Sequence, residues 1–154
     1  MRYLEALTQL FTGIWVGSMA GFAYTAPQIF AAFGPDRQAA GDLSGQMIWR
    51  LNLVGATLGA LALLALLPRL RHTINRWRAG LLVGALALAA VGAFYIFPQL
   101  AEAQPPRPIQ EYAENDPIRI NYNQWHDRSR QVFSAAILMG AGVNVLGAVA
   151  KENA

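Results

Sequence analysis

Asp, Glu, Lys and Arg are absent from four long stretches of the chain: Ala6 to Pro35, Leu51 to Pro68, Ala79 to Ala101 and Gln131 to Ala150. A charged side chain is costly in hydrocarbon, so charge-free runs mark where a chain can lie in a bilayer. A hydrocarbon core takes about 20 helical residues. Three of the windows are near that length and the first is longer. The pattern predicts an all-α integral membrane four-helix bundle, a single domain over residues 1–154 with spans near 6–29, 48–67, 79–99 and 131–150. The first window exceeds the roughly 7 to 15 apolar residues of a signal-peptide core, so it reads as a mature span.

The remaining charges orient these spans. The link from Arg69 to Arg78 holds Arg69, Arg71, Arg76, Arg78 and His72 with no acid, which predicts a cytoplasmic loop. An even number of spans then puts both termini in the cytoplasm, in keeping with Arg2 and Lys151. The links Gly34 to Met47 and Glu102 to Arg130 face outward. The second, an outward loop over 102–130, carries Pro105, Pro106, Pro108 and Pro117 and is the expected place for a structured, partner-facing feature. The net charge of +3 therefore belongs to topology and implies no nucleic-acid partner. With no cysteine, disulfides, thiolate metal sites and cysteine nucleophiles are excluded. The richness in Ala, Gly and Arg points to a bacterial inner membrane.

Small residues recur at helix-packing spacing: Gly13, Gly17 and Gly21 in the first span, Gly55 and Gly59 in the second, Gly80 and Gly84 in the third. Glycines so spaced let helix backbones approach closely in lipid and predict a compact bundle, with a homodimer or larger membrane complex as an extension. Asn144, among Gly140, Gly142 and Gly147, is expected to face a neighbouring helix.

An internal pattern cuts across the spans. Gly21-Phe22-Ala23-Tyr24-Thr25-Ala26-Pro27-Gln28-Ile29 recurs as Gly92-Ala93-Phe94-Tyr95-Ile96-Phe97-Pro98-Gln99-Leu100. Each copy closes an odd-numbered span, and each leads to a helix entered by Trp49-Arg50 or Trp125-His126. This reads as a parallel duplication of one helical hairpin, a design that places sites between the halves. Pro27 and Pro98 cannot donate to the carbonyls of Ala23 and Phe94, which predicts a kink or stop in each helix. Tyr24, Tyr95, Trp49 and Trp125 read as an aromatic belt at the outer interface.

No nucleotide loop, zinc-protease motif or catalytic triad is visible, and a non-enzymatic role is the expectation. If the duplication holds, Arg50 and His126 correspond. They would converge with Ser129, Gln28, Gln46, Gln99, Tyr24 and Tyr95 on an outer-facing polar pocket suited to an anionic ligand. Arg50 has a second reading, in which it snorkels to the headgroups. His126 can titrate, ligate haem or a metal, or bond a carbonyl. It has no neighbouring histidine or cysteine, because His72 lies across the membrane.

Gly17, Ala26-Pro27 with Phe30, Ala39-Ala40-Gly41 with Gly45, and Trp125-His126-x-x-Ser129 together resemble the transmembrane-protein-205-like family, in bacteria a domain of unknown function, 4149. The resemblance covers most of the chain. It implies a four-span bundle without an established catalytic activity, whose eukaryotic relatives are associated with tolerance to platinum drugs. A fainter likeness joins such bundles to copper-resistance D and haem-synthesis J membrane proteins, which use membrane histidines. The first span here has none, in departure from that scheme. Two expectations follow. One is an accessory subunit or small-solute handling component in the lipid bilayer, the other a haem- or copper-binding redox protein using His126.

Overall fold

The structure, a computed structural model, describes residues 2–152. Its long elements are all helices, with no strand among the described residues. Helix α1 (Arg2–Phe33) runs the length of the molecule and stops at Gly34, whose φ of +57° lies in the left-handed region that favours glycine. Pro35 blocks any continuation, and Asp36 starts α2 (Arg37–Leu66) by accepting the Ala39 N–H at 3.0 Å. The link expected over 34–47 is thus a tight turn at 34–36, with α2 helical well before its charge-free window opens. Charge marks where lipid ends and does not mark where a helix ends.

After a 3₁₀ turn at Leu67–Arg69, α3 (Thr73–Val91) returns through the bundle. It widens into a π-turn at Gly92–Ile96 and resumes as the short α4 (Phe97–Glu102). Pro98 has no N–H and its ring crowds the carbonyl four residues back, so one wide turn, in which Phe97 N–H bonds to the Gly92 carbonyl, absorbs the mismatch. Pro27 is passed differently, since α1 continues as α-helix on both sides of it. The last helix, α5 (Pro117–Glu152), opens on a proline, with the Asp116 carboxylate accepting the Ile118 N–H at 2.8 Å. The loop expected over 102–130 is therefore helical from Pro117 onward, and Trp125, His126 and Ser129 sit within α5.

Helix α1 packs on α2 and α5, and α3 packs on the same two, so the long helices form a ring in which chain neighbours touch. The core holds Trp15, Met19, Leu66, Leu82 and Val143, with Ala62, Ala85, Ala89 and Ala136 where backbones approach. Gly55 and Gly59 of α2 accommodate the Trp15 indole, and Gly84 of α3 faces Met139. The glycines Gly13, Gly17, Gly21 and Gly80 face open space, with nothing within 4 Å of where a Cβ would stand.

Among the described residues, three helical segments are long and apolar enough to cross a membrane: Arg37–Arg69, Thr73–Glu102 and Pro117–Ala150. Helix α1 is as long but is not among these three, and its first turns carry Glu5, Thr8, Gln9 and Thr12 at spacings of three and four.

Candidate functional site

Spacings of three and four place Glu5, Thr8, Gln9 and Thr12 on one face of α1. That face turns inward: Glu5 is 5% exposed, and Thr8 and Thr12 are fully buried. The opposite face, with Leu7, Leu10 and Ile14, is exposed. Up to Ile14 the helix is amphipathic in the reverse sense to a surface helix of a water-soluble protein, and from Trp15 onward its buried side is apolar, with Met19 and Phe22.

Arg78 of α3 meets this stripe and is fully buried. Its Nη1 donates to Glu5 Oε2 at 2.9 Å and to Asn75 Oδ1 at 3.2 Å, and its Nε donates to the Val143 carbonyl of α5 at 3.1 Å. Arg69, from the turn after α2, also donates to Glu5 Oε2 and keeps part of its side chain in solvent. Asn75 Nδ2 donates to the Arg69 carbonyl at 3.0 Å. One carboxylate thus ties α1 to α3 and to the α2–α3 turn, and the Arg78 guanidinium carries the tie on to α5. Among the described residues Arg78 Nη2 has no hydrogen-bond partner.

Gln9 extends the network by donating to Glu5 Oε1 and to the Asn144 carbonyl, both at 3.3 Å. Thr12 reaches the Thr8 carbonyl at 2.7 Å and the Asn144 side-chain oxygen, donating its single proton to one at a time. Gly147 makes the arrangement possible: a Cβ there would stand 1.8 Å from Gln9 Nε2 and 2.7 Å from Arg78 Nη2. Burial alone raises the Glu5 carboxyl. The Arg78 hydrogen bond and charge, with bonds from Gln9 and Arg69, outweigh it and hold the group below its ordinary value.

The residues expected to converge at the outer end do not form one pocket. Tyr24 is 76% exposed, and Gln28, Gln46 and Arg50 also lie on the surface. Tyr95 meets Trp125 edge-on at 5.9 Å, and the Arg128 guanidinium lies 4.6 Å above the Trp125 ring. His126 stacks on Tyr122 at 6.0 Å on exposed α5 surface, and Gln99 donates to Glu102 at 3.4 Å. Ser129 alone of the set turns inward, lining a narrow void of about 20 Å³ with Asn52 and Gly92 beside the π-turn. Among the described residues no three His, Cys, Asp or Glu side chains are grouped to hold a metal ion.

Sequence reasoning used Arg69 and Arg78 as topology markers and passed over Glu5. The available signal was the three-and-four spacing of polar residues in an otherwise apolar helix, which asks for an interior partner. Asn144 does face a neighbouring helix, as expected, at Thr12.

Membrane-length apolar helices packed as a bundle around buried charge are the marks of a helical membrane protein. The chain belongs to the family described as Domain of unknown function (DUF4149), whose model matches residues 10–108. The match takes in Arg69, Asn75 and Arg78, while Glu5 and the α5 contacts lie outside it. No curated protein and no solved structure matches the chain.

Proposed function

We propose that all four long helices cross a bacterial inner membrane, with both termini in the cytoplasm, and that the protein is a non-enzymatic component handling a small solute or serving a larger complex. The observation that carries the four-span reading is the inverted face of α1: its polar stripe is buried against Arg78 and Asn144, and its exposed side is Leu7, Leu10 and Ile14. A helix that hides polar groups and shows apolar ones suits lipid, and the polar residues in the first turns of α1 are turned away from it. The resemblance to transmembrane-protein-205-like proteins and the likeness between the two Pro-Gln segments support the same four-span, duplicated arrangement. The polar column from Glu5 to Asn144 supports solute handling, because buried charge in a membrane bundle commonly serves a pathway or a coupling.

The chain has no cysteine, so single-cysteine labelling tests the topology without background. In intact inner-membrane vesicles of known sidedness, Leu10→Cys and Ile14→Cys should resist a membrane-impermeant maleimide. Arg71→Cys should react from the cytoplasmic side and Asn115→Cys from the other. Ready labelling of Ile14→Cys would remove α1 from the membrane and the four-span reading with it.

A further inference from the structure

The loop between α4 and α5 folds back on the start of α2 and forms with it a shallow, half-open recess of about 50 Å³. Its polar lining is Arg37 and Gln38 from the first turn of α2, Gln104, Arg107 and Gln110 from the loop, and Tyr122 from α5, with no carboxylate among the lining residues. The loop is anchored rather than loose. Tyr112 and Pro105 are buried, Arg119 Nη1 donates to the Tyr112 carbonyl at 2.9 Å, and Gln104 Nε2 donates to Asp42 Oδ1 at 3.0 Å.

The two arginines are available. Among the described residues the ion pairs are Glu5 with Arg69, Glu5 with Arg78 and Asp127 with Arg130, so neither Arg37 nor Arg107 has a carboxylate partner. Asp36 accepts the Ala39 N–H and Asp42 accepts from Gln104; burial, and after it the Asp42 charge, raise the Tyr122 hydroxyl and keep it a donor. The Arg107 guanidinium carbon lies 5.2 Å from the centre of the Tyr112 ring, a cation–π contact that uses none of its N–H donors.

We propose that this recess binds an oxyanion, the carboxylate or phosphate group of a small solute or of a lipid headgroup. Two guanidinium forks supply charge-assisted bonds, the glutamine amides and the Tyr122 hydroxyl supply further donors, and the volume admits a group of a few atoms. The inference names the ligand class for the solute-handling reading above. It does not depend on topology, since binding is measured on purified protein.

The test is calorimetric titration of the full chain in phosphatidylcholine nanodiscs with inorganic phosphate and with acetate, at constant ionic strength balanced with chloride. Saturable binding is expected, weakened about tenfold or more by Arg37→Gln or by Arg107→Gln. Arg71→Gln, at the opposite end of the bundle, should leave it unchanged. Tyr122→Phe removes a single hydroxyl and should give a smaller loss, which keeps the test decisive should a charge variant melt early. Repeating the titration in nanodiscs containing phosphatidylglycerol separates the sources: Arg37-dependent weakening of phosphate binding there assigns the recess to a lipid headgroup, and unchanged binding assigns it to a free solute. Absence of saturable binding for both anions, or equal binding in Arg37→Gln and Arg107→Gln, overturns the proposal.

Discussion

The two ends of the bundle treat polar side chains in opposite ways. At the end bearing the α2–α3 turn, Glu5, Arg78, Asn75 and Thr12 are buried and bonded across α1, α3 and α5. At the other end Tyr24, Gln28, Gln46, Arg50 and His126 are exposed, and the recess beside the loop is lined by Arg37 and Arg107, neither of them in an ion pair among the described residues. The first end uses charge to hold helices together, and the second leaves charge available. A buried ion pair gives little net stability when intact, yet removing one partner is severe, because the other is left charged and desolvated. Substitution should therefore be felt far more at the first end than at the second.

The largest effect is expected from Glu5→Ala, which strands Arg78: a loss on the order of 3–5 kcal/mol by the cost of orphaning a buried charge, read as the unfolding midpoint in detergent. A Glu5→Ala midpoint no lower than that of Arg50→Ala would erase the contrast between the ends. Next comes Gly147→Ala, whose Cβ meets Gln9 and Arg78 and should cost about 1–3 kcal/mol as overpacking. Gly17→Ala, where nothing lies within 4 Å, should be neutral or stabilising by up to about 1 kcal/mol through helix propensity. Comparable losses in the two alanine variants would mean that the open face of α1 is packed in solution.

Acid should expose the same asymmetry. The folded Glu5 carboxyl is held below its ordinary value, so the stability it contributes is present above the unfolded carboxylate value of about 4.3 and is lost as pH falls through the lower folded value. Melting temperature followed from pH 7 downward should drop further in the native chain than in Glu5→Gln. Parallel curves would show that Glu5 does not drive the acid sensitivity. The smallest effects are expected at the surface of the other end, where Arg50→Gln and His126→Ala should each change stability by less than about 0.5 kcal/mol. For His126→Ala an absorption spectrum and metal analysis beside the native protein add a second readout. A Soret band or stoichiometric metal lost in that variant would give His126 a ligand role that its exposed stacking on Tyr122 does not require.

Much of the architecture was legible in the order of residues. The charge-free windows mark the apolar lengths of α2, α3 and α5, and Gly34-Pro35-Asp36 contains a stop and a start in consecutive positions. These are local properties: a glycine at positive φ, a proline without an N–H, or a run without charge acts through its immediate neighbours. The pairing of Glu5 with Arg78 was not legible, because it depends on how α1 and α3 are rotated about their axes, and many packed side chains set that rotation jointly. For the same reason Gly147 and Gly55 lie against partners while Gly13, Gly17 and Gly21, at equally good spacing, face open space. The two similar Pro-Gln segments make the same point: Pro98 sits beyond a π-turn and Pro27 within a continuous α-helix, so context and not the local residues selected the backbone. Arg37 and Arg107 are far apart in the chain and meet only because the loop after α4 folds back on α2. The sequence by itself determined which segments are apolar and where α1 stops and α2 starts, because those properties act through immediate neighbours. The tertiary structure alone decided which polar groups face each other, since partner choice is a property of the assembled helices.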